Sequence, residues 1–259
     1  MRPPCGRGGV SLVGAGPGDP ELLTIRALRR LEEADLVLYD ALVNVDILKF
    51  APHARCISVG KRARAHGVAQ AAINRLMRRS ARRGRRVVRL KCGDPFVLGR
   101  GGEEALALVA HGIPVEIVPG LSSAIAAPAL AGIPLTHRGV TSAFVVASGH
   151  AEDAYGRLVG AIPPGSVTLV VLMGLATRAA LARTLIDRGW SDRTPAAVIL
   201  AASTRAAQTW IGPLRHLSDA PVDDPPSRPG TIVVGDVVDM RVARADTRHD
   251  HVAWCAHAR

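Results

Sequence analysis

The residues best placed to do chemistry in this 259-residue chain stand at the ends of short apolar runs. The first run ends in "VGAGPGDPELLT", where Gly14, Gly16 and Gly18 fall at alternate positions. The second, "DLVLYD", ends in Asp40, and a later one opens into "KCGDPFVLGRGGEE", which carries Asp94, Arg100 and Glu103. A strand that closes on glycines exposes main chain without side-chain bulk, so a ligand can lie directly against backbone atoms. The dinucleotide fingerprint G-x-G-x-x-G is a poor fit, because Asp19 occupies the third glycine's place and Pro17 stiffens the turn; only Asp40 mimics the ribose-binding acid of that motif. Arg100 and Glu103 are three residues apart, so on a helix starting near Gly101 they face one side of a cleft.

Positioning these groups requires strands alternating with helices. Apolar, β-rich runs predict strands at Val10 to Gly14, Leu36 to Tyr39, Cys56 to Val59, Val87 to Leu90 and Val115 to Val118. Helical periodicity marks Leu22 to Glu33, Ala69 to Arg82 and Gly102 to His111. Such a series predicts an α/β fold with parallel sheets covered on both faces, whose ligands sit at the carboxyl ends of the strands. After "GIPLTHRGVTSA" the pattern restarts, with strands expected at Phe144 to Ala147, Val167 to Met173, Ala196 to Leu200, Thr209 to Ile211 and Thr231 to Val234, and a helix from Thr177 to Arg188. Two α/β domains are therefore expected, 10–136 and 137–243, between a loose tail at 1–9 and another at 244–259. Pro134 is expected to stop the Ala-rich helix in "LSSAIAAPALAG", and "DAPVDDPPSRPG" reads as a surface loop.

Composition narrows the function classes. The longest apolar runs stop near ten residues, well short of the roughly 18 that suggest a membrane span. "MRPPCGRGG" carries no apolar stretch behind its basic residues, so no signal peptide is expected and a cytoplasmic location follows. Cys5, Cys56, Cys92 and Cys255 show no C-x-x-C spacing, which argues against a disulfide framework or a structural zinc site. His249, His251 and His257 stand near Cys255, in a terminus better explained as solvated tail than as a metal site. Thirty-three Lys and Arg against 22 Asp and Glu leave a net charge of +11, which favours an anionic partner. Much of the excess lies between Lys61 and Lys91, on a helix with Ile73, Leu76 and Met77 inward and arginines outward. Aromatics make up only 3%, too few for the stacking platforms of single-strand nucleic-acid binders.

In order along the chain, "VGAGPGDPELLT", "ADLVLYDALV", "VGKRARAHGVAQAAINRLM", "VVRLKCGDPFVLGRGGEEA", "VEIVPGLSSAIAAPALAGIPLTHR" and "LVVLMG" resemble the motif set of the tetrapyrrole methylases, from about Val10 to Met240. "GIPLTHR" and "KCGDPFVLGRGGEE" resemble the branch acting on uroporphyrinogen III more than those acting on ribosomal RNA or diphthine precursors. The resemblance implies two α/β domains with S-adenosylmethionine in the cleft between them, no metal, and a homodimer. It also implies two successive methyl transfers to pyrrole β-carbons, giving precorrin-2 by way of precorrin-1.

The same resemblance assigns residues. Pro17, Cys92, Gly93, Asp94, Val97, Ser122, Ser123, Met173, Ala202 and Ser203 are expected around the cofactor, with Asp94 offering a polar contact to a ribose hydroxyl. Asp40 is expected as proton acceptor and Lys61 as proton donor, with Arg100 and Glu103 as rivals for proton handling. The substrate has eight carboxylates, and guanidinium forks pair carboxylates bidentately. Arg100 and Arg138 are therefore expected to clamp it, with His137 nearby and Arg62 or Arg64 further out. The chain departs from the family pattern at Cys92, where a glycine is usual, and at Ala41, where an arginine is usual. No dehydrogenase or ferrochelatase portion is attached in the sequence, so methyl transfer alone is expected. The competing readings are a methylase of a later precorrin, a basic nucleic-acid-binding module and a nicotinamide-dependent dehydrogenase.

Overall fold

The computed structural model describes residues 8–60, 69–223 and 228–242. Its first half runs β1 (Val10–Gly14), α1 (Ile25–Glu32), β2 (Leu36–Tyr39), β3 (Arg55–Ser58), α2 (Gln70–Arg82), β4 (Val87–Lys91), α3 (Gly101–Val109), β5 (Val115–Val118) and α4 (Ser123–Leu130). The five strands form one parallel sheet in the order β3-β2-β4-β1-β5. β1 and β4 are buried along their whole length, as a central parallel strand covered on both faces must be. α1 packs Ala27 and Leu31 onto one face with Val13, Val37, Val88 and Leu90. α2 and α3 pack Ile73, Met77 and Leu108 onto the other with Leu12, Leu36, Leu38 and Val87. As the periodicity predicts, Arg75, Arg79 and Arg82 on α2 face solvent.

Local chemistry sets the boundaries. Helix α1 begins three residues later than expected because "DPEL" forms its own short 3-10 turn, with the Asp19 carboxylate accepting from the Glu21 N–H at 2.9 Å. Thr24 then caps α1 by accepting from the Ala27 N–H at 3.1 Å. The stop of α4 also differs from expectation. It is Gly132, at φ +78°, and not Pro134 that ends the helix, with Ile133 N–H donating to the Pro128 carbonyl at 2.9 Å and Gly132 N–H to that of Ala129 at 3.0 Å. This is a Schellman closure, which needs the left-handed conformation glycine adopts freely.

The second half runs β6 (Phe144–Ser148), α5 (Glu152–Ala161), β7 (Thr168–Leu172), α6 (Arg178–Asp187), β8 (Pro195–Leu200), β9 (Gln208–Pro213) and β10 (Gly230–Val234). Here the expectation of a parallel sheet fails. The order is β6-β7-β10-β8-β9, and only β6 and β7 are parallel; β10 runs antiparallel to β7 and β8, as does β9 to β8. Residues 201–207, between β8 and β9, are too few for the crossover a parallel pair demands. Helix α5 was not expected either, since Gly156 and Gly160 weaken its pattern and it buries only Tyr155 and Val159.

The halves are joined by α4. It follows the first sheet in sequence, yet Ala127, Ala131 and Ile133 pack with Ala197, Ile199, Val233, Val237 and Val238 of the second half. The Arg241 guanidinium donates to the Ala131 carbonyl at 3.0 Å and the Val242 N–H to that of Gly132 at 2.9 Å, tying the chain back onto the end of α4. No helix of the described residues is long and apolar enough to cross a membrane. The seam under α4 is open to test: Ile199→Ala should cost about 2–5 kcal/mol in denaturant unfolding, and a loss below about 1 kcal/mol would show that the seam does not bind the halves together.

Candidate active site

Strands β4, β1 and β5 are neighbours, so their carboxyl ends release three loops side by side. Gly14 closes β1, and Gly93 and Gly120 lie just beyond β4 and β5. A Cβ on Gly14 would stand 2.5 Å from the Gly120 nitrogen and 2.6 Å from the Gly93 oxygen; one on Gly120 would stand 2.4 Å from that same oxygen. Only hydrogen fits there. The loops are then stitched together. Gly93 N–H donates to the Gly16 carbonyl at 2.8 Å and Gly16 N–H to the Gly93 carbonyl at 3.2 Å. Asp94 accepts from the Gly120 N–H at 3.1 Å on one oxygen and from the Phe96 N–H at 2.8 Å on the other. Asp94 therefore holds the loop after β5, and any ribose contact must use the lone pairs left on those oxygens. Ser122 caps α4 through a 3.2 Å bond from the Ala124 N–H, with its Cα beside Gly93.

The second half supplies the facing wall. The Ser203 hydroxyl accepts from the Asp19 N–H at 3.0 Å, which sets the turn after β8, with Ala202, against the first glycine loop. Ala201 and Ser203 both take positive φ in that turn, at 46° and 63°. The Thr231 hydroxyl of β10 donates to the Ser123 carbonyl at 3.4 Å, and Thr231 is the register partner of Leu172, the residue before Met173. Met173 has φ 59° and is half-exposed. Pro17, Cys92, Gly93, Asp94, Ser122, Ser123, Ala202 and Ser203 thus border one cleft, with Met173 at its second-sheet edge. Val97 lies in an apolar, partly exposed loop with Phe96 and Leu98.

Asp40 follows β2, with its N–H on the Leu90 carbonyl at 3.2 Å. Its carboxylate meets two buried cations of β4. One oxygen accepts from Arg89 Nη2, and the other lies 3.6 Å from Lys91 Nζ. Arg89 Nε also donates to Glu104 Oε1 at 3.0 Å, Lys91 Nζ stands 3.3 Å from Glu104 Oε2, and Gln70 Nε2 donates to Glu104 Oε1 at 2.9 Å. Glu104 is wholly buried. Two cations and two carboxylates therefore offset one another under the rim of the cleft, which is the condition for keeping charge inside a protein. Sequence reasoning passed over Arg89, Lys91, Glu104 and Gln70. The available signal was "VVRLK", a central strand with two cations on one face, which must find anionic partners.

The remaining expected residues lie apart from this network. Arg100 stands, exposed, at the residue before α3, and its guanidinium holds Glu103 at 2.6 Å. That bond keeps the Glu103 carboxyl below the usual carboxylate range and raises the Arg100 guanidinium. His137 and Arg138 form an exposed turn closed by reciprocal 3.0 Å bonds between His137 and Thr141. Among the described residues no hydrogen bond or ion pair joins that turn to Arg100. Lys61, Arg62 and Arg64 lie outside the described residues, as does the histidine-bearing tail. Among the described residues no group of three or more His, Cys, Asp or Glu is placed to hold a metal ion.

Two outcomes test this geometry. Burial first, then the Asp40 charge, push the Cys92 thiol up to about 11 from its ordinary 9.0. Since the raised group is neutral in the folded protein, its contribution to stability is present below pH 9 and is lost as pH rises toward 11. At pH 8 its thiolate should be about 100-fold scarcer than that of an unperturbed thiol. Peptide mapping after iodoacetamide should find Cys92 nearly unlabelled; labelling at the rate of a free thiol would refute the burial. Gly120→Ala should unseat the loop junction and weaken S-adenosylhomocysteine binding by at least about tenfold in calorimetry, and unchanged affinity would show that the junction does not shape the cleft.

Comparison with known proteins gives this cleft a context. The pattern of the family described as Tetrapyrrole (Corrin/Porphyrin) Methylases matches residues 9–218. The chain is 44% identical over 236 residues to a uroporphyrinogen-III C-methyltransferase of Methanocaldococcus jannaschii, covering 90% of this chain and 98% of that protein. It is 44% identical over 255 residues to a siroheme synthase of Pseudomonas aeruginosa, of which it spans only 53%. A crystal structure of uroporphyrin-III C-methyl transferase from Thermus thermophilus, complexed with S-adenyl homocysteine, superposes with a TM-score of 0.76 at 42% identity, over 90% of this chain and 100% of that one. With the family pattern running over residues 9–218 and a relative matched over 90% of the chain, the chain belongs to the tetrapyrrole methylase family.

Proposed function

We propose that this chain transfers two methyl groups in succession from S-adenosylmethionine to pyrrole β-carbons of uroporphyrinogen III, forming precorrin-1 and then precorrin-2. The observation that carries this reading is the end-to-end likeness to the archaeal C-methyltransferase, which leaves no part of that relative unmatched beyond a few residues. The enzyme is an S-adenosylmethionine-dependent methyltransferase, and its cleft suits that donor. Bare main chain at Gly93 beside Ser122, small residues at Ala202 and Ser203, and half-exposed Met173 leave room for a flat nucleoside with an extended arm.

S-adenosylmethionine supplies an already activated methyl carbon on a sulfonium sulfur. The protein's part is to hold that carbon in line with the ring carbon, an orientation worth roughly 7–11 kcal/mol in favourable cases. The ring's electron pair forms the new carbon–carbon bond as the carbon–sulfur bond breaks, leaving positive charge on the macrocycle. A bridging carbon then gives up a proton, and Asp40 is the acceptor in this reading. Its carboxylate is about a quarter exposed at the end of β2, near enough to the glycine loops for its charge to act on Cys92. Glu103 serves this role less well, since the Arg100 fork occupies and acidifies it. Exposed Arg100 and Arg138 are the carboxylate clamps, and Lys61 is the proton donor. A homodimer belongs to the same reading, and sedimentation should return twice the chain mass.

Incubation with uroporphyrinogen III and S-adenosylmethionine should add the mass of two CH2 units to the tetrapyrrole, a methyl gained and a hydrogen lost at each transfer. A methylase of a later precorrin would leave that substrate unchanged. Asp40→Asn should keep S-adenosylhomocysteine affinity within about twofold while lowering turnover by about 10²–10⁴-fold. Full activity in this variant would pass the base role to Arg100 or Glu103.

A further inference from the structure

The carboxylate read as the proton acceptor does not stand alone in the cleft; its neighbour Arg89 is held on every side. Arg89 lies in the middle of the parallel sheet, 2% exposed. Its Nη1 donates to two main-chain carbonyls, Leu38 of neighbouring β2 at 3.3 Å and Leu90 of its own strand β4 at 3.2 Å. Its Nε donates to buried Glu104 of α3 at 3.0 Å, and Glu104 is in turn held by Gln70 of α2 at 2.9 Å. That leaves Nη2, which is given to one oxygen of Asp40. A guanidinium is planar, so fixing two of its nitrogens fixes where the third points.

We infer that Arg89 is the positioning residue for Asp40: a guanidinium locked by β2, β4 and α3 sets the rotation of the Asp40 carboxylate, so that its second oxygen is presented to the cleft. This rests on the reading of Asp40 as proton acceptor and adds the part that aims it. Arg89 itself touches no substrate, since it is buried beneath the rim. Lysine cannot replace it, because an ammonium is a point charge without a fork and cannot satisfy Leu38, Leu90, Glu104 and Asp40 in one plane. Lys91, 3.6 Å from the other Asp40 oxygen, supplies charge to the same carboxylate without fixing its plane.

The test is Arg89→Lys, assayed with uroporphyrinogen III carrying protium or deuterium at its bridging carbons. Expected are S-adenosylhomocysteine affinity and substrate KM within about twofold of the parent, and kcat lower by about 10–100-fold, the scale on which misplacement of a catalytic group acts. The isotope effect on kcat should rise, because removal of the bridging proton becomes the slow step. A merely structural role would lower donor binding and leave the isotope effect where it was; that result, or an unchanged kcat, overturns the inference. Should Arg89→Lys not accumulate as folded protein, Glu104→Gln weakens the Nε anchor by removing its charge at nearly constant volume and must give the same pattern. Failure of the underlying reading is seen separately, as full turnover in Asp40→Asn.

Discussion

At the carboxyl edge of the first sheet three main chains pass so close that nothing larger than hydrogen can occupy the space between them. Gly14, Gly93 and Gly120 come from three adjacent strands; a methyl group on Gly14 or Gly120 would strike the other's backbone and the Gly93 carbonyl, while Gly93 itself holds the left-handed φ of +66° that glycine adopts freely. The contact is steric before it is attractive. Because the sheet is parallel, all three loops leave on the same side, and because the glycines let them converge, the paired bonds between Gly16 and Gly93 and the Asp94 bond to Gly120 can form. The cleft floor is thus made of backbone, whose position depends on strand register and not on the rotamers of long side chains. Such a floor is rigid, which is what orientation of a methyl donor requires.

Beneath that floor lies a different sort of constraint. Arg89, Lys91, Asp40 and Glu104 carry opposite charges in equal number and meet in a region largely closed to water. Removal of one member would leave its partner charged and buried, at a cost of about 3–5 kcal/mol. The cluster therefore couples the start of α3, the start of α2 and the end of β2 to the central strand. Arg100 stands just before that same α3 and Glu103 on its first turn, one residue before Glu104, so the exposed pair takes its placement from the buried acid behind it.

Much of this was legible beforehand. Continuous Val and Leu runs marked the first sheet because a doubly covered parallel strand has no polar face to interrupt the pattern. The convergence of the loops after β1 and β4 was legible through their glycines, and the family resemblance offered Asp40 as the proton acceptor proposed above. What escaped notice has physical causes. The antiparallel half of the second sheet is decided by the length of the β8–β9 connection, not by any strand's composition. The end of α4 is decided by a left-handed glycine two residues ahead of the more conspicuous Pro134. Arg89 and Lys91 passed as members of a basic run, since only the register of β4 against β2 and α3 reveals that they turn inward. Ser203 was expected near the donor, but its bond to Asp19, across 184 positions, is a tertiary fact with no local signature.

Helix α4 belongs to one half by sequence and to the other by packing, with Ile133, Ala197, Ile199 and Val233 sealed beneath it. The two halves consequently share a keel. Prying them apart at α4 would wet that seam and forfeit the burial of its apolar side chains. Loops that leave the first sheet outside this seam can be trimmed or lengthened while the keel stays as it is.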